Sequence, residues 1–188
     1  YSGQWPSGDA NATINVPARV KSIKSMFFKG TVESHVTGNT LYGISDGITH
    51  GLTRYGFRVG SVQYPAQKVQ SDDLGEAYQT LRRAFGTIGD YQHGGVYLNK
   101  YTYQSSITHH TGSATLGHPG LAPFGLSFDA FNVGHTLESG VNSADKSLPI
   151  TLELEGDTSS SVSTTVDVWA LCDAIFYINA DGSLSVSV

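Results

Sequence analysis

The sequence predicts an all-β chain, an antiparallel two-sheet sandwich with one α-helix inserted at about residues 72–85. Three observations carry that expectation. The apolar runs are short and rich in Val, Ile, Tyr, Phe and Thr, residues that suit a half-buried pleated surface. Gly and Pro, 22 and 6 of 188 residues, are scattered without a period, as many short elements joined by turns require. One stretch alone repeats its apolar residues with helical spacing.

The elements follow in chain order. Residues 1–13 are rich in Gly, Ser and Asn and read as an N-terminal arm or linker, which leaves 14–188 as a single domain. Asn11-Ala12-Thr13 is formally a glycosylation sequon, but no signal-peptide pattern accompanies it, so it reads as chance. Strands are expected over Val20–Phe28, Tyr55–Tyr64, Val96–Ile107, Leu126–Val133, Leu148–Leu154, Val166–Ile178 and Leu184–Val188, each bounded by Gly, Asn, Asp or Pro. Leu148, Ile150, Leu152 and Leu154 alternate with Pro149, Thr151 and Glu153, the pattern of a strand covered on one face. Val166, Val168, Ala170, Cys172 and Ala174 continue that period. The small polar stretch 156–163 would join these two as a long hairpin, and Asn179-Ala180-Asp181-Gly182 would turn the chain into its last strand, making the C-terminal third a β meander.

The helix rests on Leu74, Ala77, Tyr78, Leu81 and Phe85, which fall on one face. Asp73 and Glu76 stand at capping-box spacing, and Gly86 can take the left-handed position that ends a helix. Asp72 and Asp73 at the start, with Arg82 and Arg83 at the end, suit the helix dipole. Seven or eight strands with one helical excursion point to a sandwich of immunoglobulin or jelly-roll type.

Composition excludes several functions. The chain is long enough for one domain with a real core, and a net charge of -5 does not suit phosphate-backbone binding. Only 14% of residues are charged against 39% hydrophobic, which argues against disorder and for a surface that meets other chains. The single cysteine, Cys172, permits neither an intrachain disulfide nor a cysteine zinc site, and it reads as a small buried apolar residue. No apolar run is long enough to span a membrane. Tyr1 opens the chain and Met26 is its only methionine, which allows for a piece of a longer protein.

No catalytic constellation emerges. Gly43-Ile44-Ser45-Asp46-Gly47 has nucleophile-elbow spacing, but no helix follows it to point a dipole at an oxyanion. His109, His110, His118 and His135 invite a cupin-like metal site, yet the adjacent pair would point to opposite faces of a strand, so loop histidines are the simpler reading. Glu153 and Glu155 resemble in spacing a glycosidase carboxylate pair, but Leu154 stands where an acidic residue usually lies between them, and they read as solvent-facing. Phosphate-loop motifs are absent. No catalytic residue, metal or cofactor is therefore expected. A carbohydrate-binding module using Trp5, Tyr101 and Tyr103 as stacking faces is an alternative, and a cupin-like metal enzyme a weaker one.

Three stretches carry a resemblance. INVPARVKSIKSMFF (14–28), YGFRVGSVQYPAQKV (55–69) and the helix DDLGEAYQTLRRAFG, together with ESGVNSADKSLPITLELE and the last hairpin, resemble the C-terminal jelly roll of double-jelly-roll viral major capsid proteins of the Polinton and adintovirus-like branch. The resemblance spans residues 14–188, on short and degenerate motifs. It implies a structural subunit that assembles with copies of itself into trimeric capsomers of an icosahedral shell, beside other capsid proteins, inside the host cell. The implied location is the virion, and host glycans are an implied contact; neither a nucleic-acid site nor a transmembrane segment is expected. Pro17, Arg19, Ser22 and Lys24 match the first motif, and Phe57, Gly60, Ser61 and Pro65 the second, as fold or assembly positions. The chain departs from the family in having the length of one jelly roll, which leaves open the C-terminal half of a larger protein or a single-barrel vertex protein.

Overall fold

A computed structural model describes residues 1–32, 52–71, 74–86, 123–129, 140–145, 148–156 and 163–187. Its strands are β1 (Ser2–Trp5), β2 (Asn11–Val16), β3 (Ile23–Val32), β4 (Arg54–Val59), β5 (Val62–Gln70), β6 (Phe124–Ser127), β7 (Ile150–Glu155), β8 (Thr164–Cys172), β9 (Ile175–Ile178) and β10 (Leu184–Ser187), with one helix, α1 (Leu74–Ala84), between β5 and β6. They form two four-stranded sheets, β1-β8-β3-β6 (sheet A) and β2-β7-β4-β5 (sheet B), and a separate β9-β10 pair. Every pairing is antiparallel. The described residues thus form an all-β sandwich with a single short helix. No helix among the described residues is long and apolar enough to cross a membrane.

The pairing is nested. β1 pairs with β8, β2 with β7, β3 with β6 and β4 with β5. The first eight strands are one long hairpin folded over, and the β3–β8 and β4–β7 ladders close it into sheets. This wiring overturns the expected meander. β7 and β8 lie in different sheets and do not pair, so they are not the two arms of a hairpin. Alternation identified the buried face of β7, and that of β8 as far as Val168, but a face does not name a partner.

The core lies between the sheets. Phe28 and Phe124 of sheet A meet Tyr55 and Phe57 of sheet B, with the Phe28 ring 5.0 Å from Tyr55 and 5.1 Å from Phe124. The Tyr55 hydroxyl satisfies its polar end by donating to the Gly125 carbonyl of the opposite sheet at 3.1 Å. Gly3 permits close approach, since a Cβ there would stand 2.6 Å from the Ile14 Cγ2. α1 packs on the outer face at β6 and β3: Ala77 and Leu81 are buried, the Ser25 hydroxyl donates to the Ala84 carbonyl at 2.8 Å, and Phe85 rests on Phe27 with centroids 4.5 Å apart. Gly86 ends the helix at φ +70°, as expected.

Several boundaries differ from expectation. The supposed arm 1–13 supplies all of β1 and the first half of β2, and Trp5 within it is fully buried. Its Gly and Ser content reflects tight packing and an edge position, not a linker. The run Tyr55–Tyr64 is two strands, because Gly60 adopts φ +59° and turns the chain. Val166–Ile178 divides at Asp173 and Ala174 into β8 and β9. The expected strand Val96–Ile107 and the capping residues Asp72 and Asp73 lie outside the described residues.

Candidate functional site

The first motif gathers where the chain enters β3. Arg19 extends to the carbonyls of Asp145 and Leu148, both at 3.1 Å, tying this entry to the segment before β7. Ser22, buried, donates to Asp173 Oδ2 at 2.8 Å and accepts from the Gly140 N–H at 3.1 Å. Lys24 lies 3.4 Å from Asp173 and 3.8 Å from Asp129, with only 14% of its side chain exposed. Pro17 is exposed and makes no ladder bond, in keeping with its missing N–H just past the end of β2. Arg19, Ser22 and Lys24 are staples between the entry into β3 and segments more than 100 positions away in sequence.

Sequence reasoning missed the other halves of the staples. Asp129 and Asp173 carried no motif signal. Ser143 is fully buried; its hydroxyl accepts from the Val20 N–H and lies 3.2 Å from the Ala18 and Val20 carbonyls, to one of which it donates. Gly140 is required sterically, for a Cβ there would come within 2.2 Å of the Ile23 carbonyl oxygen. Both residues belong to the ESGVNSADKS stretch, so the resemblance was the available signal.

The second motif is equally structural. Phe57 is fully buried, with its ring 5.7 Å from Phe128. Gly60 makes the β4–β5 turn, donates to the Pro149 carbonyl at 2.9 Å, and would bring a Cβ within 2.8 Å of Leu148 Cδ2. Ser61 is exposed at the turn beside it. Pro65 follows a cis peptide bond in the stretch of β5 that bulges away from β4 between Tyr64 and Val69.

The outer face of sheet B carries an ionic cluster. Glu153, on β7, accepts from Arg58 Nε at 2.6 Å and pairs with Lys68 Nζ at 2.9 Å; Lys68 also donates to Glu155 at 2.8 Å. Gly56 stands opposite Glu153 in the ladder, and its missing side chain leaves room for the Lys68 stem to cross. The Arg58 hydrogen bond, then the Lys68 one, holds the Glu153 carboxyl below its usual range. Burial opposes the charge on Lys68, but its bonds to Glu155 and Glu153 outweigh that and raise its pKa. A general acid needs the reverse environment, a carboxyl kept protonated near neutrality. The two glutamates are therefore paired, not solvent-facing as expected, and the network neutralises itself. Beside it opens a polar cleft of about 450 Å³ lined by Arg54, Gln63, Gln67, Lys68, Gln70 and Glu155 among others.

The least satisfied surface is apolar. In the β9–β10 register, Ile178 faces Leu184 and Phe176 faces Val186, so these four side chains share one face. All four are exposed, Ile178 to 83%. The opposite face bears Ile175, Tyr177, Ser185 and Ser187, and Ser187 accepts from Lys21 Nζ at 2.7 Å. Trp169 and Leu171 point outward from the adjoining β8 and are about half exposed, at 50% and 54%. Cys172 is partly exposed at the end of β8.

The stacking reading loses Trp5, whose indole is buried and donates to the Asp9 carbonyl at 2.9 Å. Tyr101, Tyr103, Ser45 and all seven histidines lie outside the described residues. The chain matches no protein-family model, and no curated protein is significantly similar to it.

Proposed function

We propose that this chain is a structural subunit of a viral capsid, a jelly-roll domain that assembles with copies of itself into trimers and, through them, into an icosahedral shell in the virion. The observation that carries the reading is the strand order. Sheet A runs 1-8-3-6 and sheet B 2-7-4-5, the nested arrangement expected of a rolled-up eight-stranded hairpin with jelly-roll connections. The motif residues behave in keeping with this: Arg19, Ser22, Lys24, Phe57 and Gly60 hold strands and turns together, as fold positions of a shell protein would. A framework of antiparallel ladders resists deformation, and low charge limits repulsion between copies packed side by side.

In this reading no residue is catalytic and no cofactor takes part; the product of the chain is an assembly. The test is to determine the mass of the purified protein by sedimentation and to image it by electron microscopy. Trimers and larger closed symmetric particles are expected. A strictly monomeric species at high concentration across pH and salt would overturn the reading.

A further inference from the structure

We propose that the β9–β10 hairpin is the element through which one copy of the chain grips a second copy, its Phe176, Ile178, Leu184 and Val186 face being covered in the assembly by that copy. The inference rests on the self-assembly reading above and specifies its contact surface. A two-stranded hairpin is marginal in water by itself. This one pairs with no other described strand. Only Ile175 and Ser187 at its base are half-buried, with Ser187 held by Lys21; Tyr177 and Ser185 on the mixed face are exposed, and the wholly apolar face is left to solvent.

The area is a usable share of such a contact. At about 150–200 Å² per large side chain, the four residues expose roughly 450 Å², over half of the about 800 Å² that a stable interface takes from each side. A foreign partner chosen by charge has little to recognise. Asp181 is the hairpin's one charged residue, and its carboxylate is occupied at the turn by the Ser183 hydroxyl at 2.7 Å and the Ser183 N–H at 2.9 Å. A second copy offers the same uncharged apolar face and the same unpaired strand edges, so each side meets the other's need under a closed symmetry.

The test compares the wild-type chain with an Ile178→Asp/Leu184→Asp double variant and a Tyr177→Ser control, which alters the opposite face. Sedimentation over a concentration series reads association, while circular dichroism and urea unfolding report whether the sandwich is intact. With the fold unchanged, the double variant is expected to associate at least about 100-fold more weakly, because it buries two carboxylates in an apolar contact. Tyr177→Ser should associate like the parent. Assemblies that persist undiminished in the double variant overturn the hairpin contact and leave the capsid reading standing. Hairpin-dependent dimers or trimers that never build particles support the contact and remove the capsid reading. A wild-type chain that stays monomeric overturns the hairpin contact outright.

Discussion

Glu153 is held by two cations at once, and the pH dependence follows from it. Its carboxyl is kept below the usual range by Arg58 first and Lys68 second, so between the folded and unfolded values the unfolded chain binds the extra proton. The stabilisation is present above the ordinary carboxylate pKa and is lost as pH falls through the folded one. Glu153→Gln is expected to cost about 1–2 kcal/mol at neutral pH in urea unfolding, and to make stability less steep in acid, so that the two curves converge. A gap that stays constant into acid would show that shape, not charge, matters there. Lys68 acts in the opposite sense, since its raised pKa means that stabilisation fades as pH climbs beyond 10.5. None of this was legible in the sequence. Alternation placed Glu153 and Glu155 outward, but Arg58 and Lys68 reach them only because β4 lies next to β7 and β5 bulges beside Gly56.

At the scale of elements, α1 was legible because its period is local: Ala77 and Leu81 are buried where the spacing placed them. Its seat was not. The helix rests where Gly125 removes a side chain from β6, and a Cβ there would stand 2.8 Å from Phe27 Cδ1 and 3.1 Å from both Ala84 Cβ and Leu81 Cδ1. Gly125→Ala is expected to destabilise the protein by about 1–3 kcal/mol, read as a lower urea midpoint, since Ala84 cannot retreat without moving the helix. An unchanged midpoint would mean that the helix slides on its seat at no cost. The β4–β5 turn escaped notice for a different reason. Gly60-Ser61 interrupts an apolar run by only two residues and lacks the Asn-Gly signature of a tight hairpin. In β9–β10 only Leu184-Ser185-Val186-Ser187 alternates, and the exposure of its apolar face depends on what the rest of the chain fails to cover.

For the whole molecule, the information missing from the sequence is which distant strands pair. Ser22 and Lys24 were singled out by resemblance alone, and what they do in the fold depends on Asp173, some 150 residues onward, and on Asp129. The nested ladders make every long pairing depend on others. They also make β8 central to sheet A, where it separates β1 from β3. A chain stopped after Gly156 is expected to show no cooperative urea transition, because sheet A would lose its middle strand; a sharp transition would mean that the sheets close without it.

The position of β8 also governs the protein's birth. At about 5–20 residues per second, β1 emerges from the ribosome many seconds before the strand that must lie against it. Until then β1 and β3 are exposed edges on a nascent chain, open to pairing with other nascent chains, and dependent on a chaperone or on dilution to remain single.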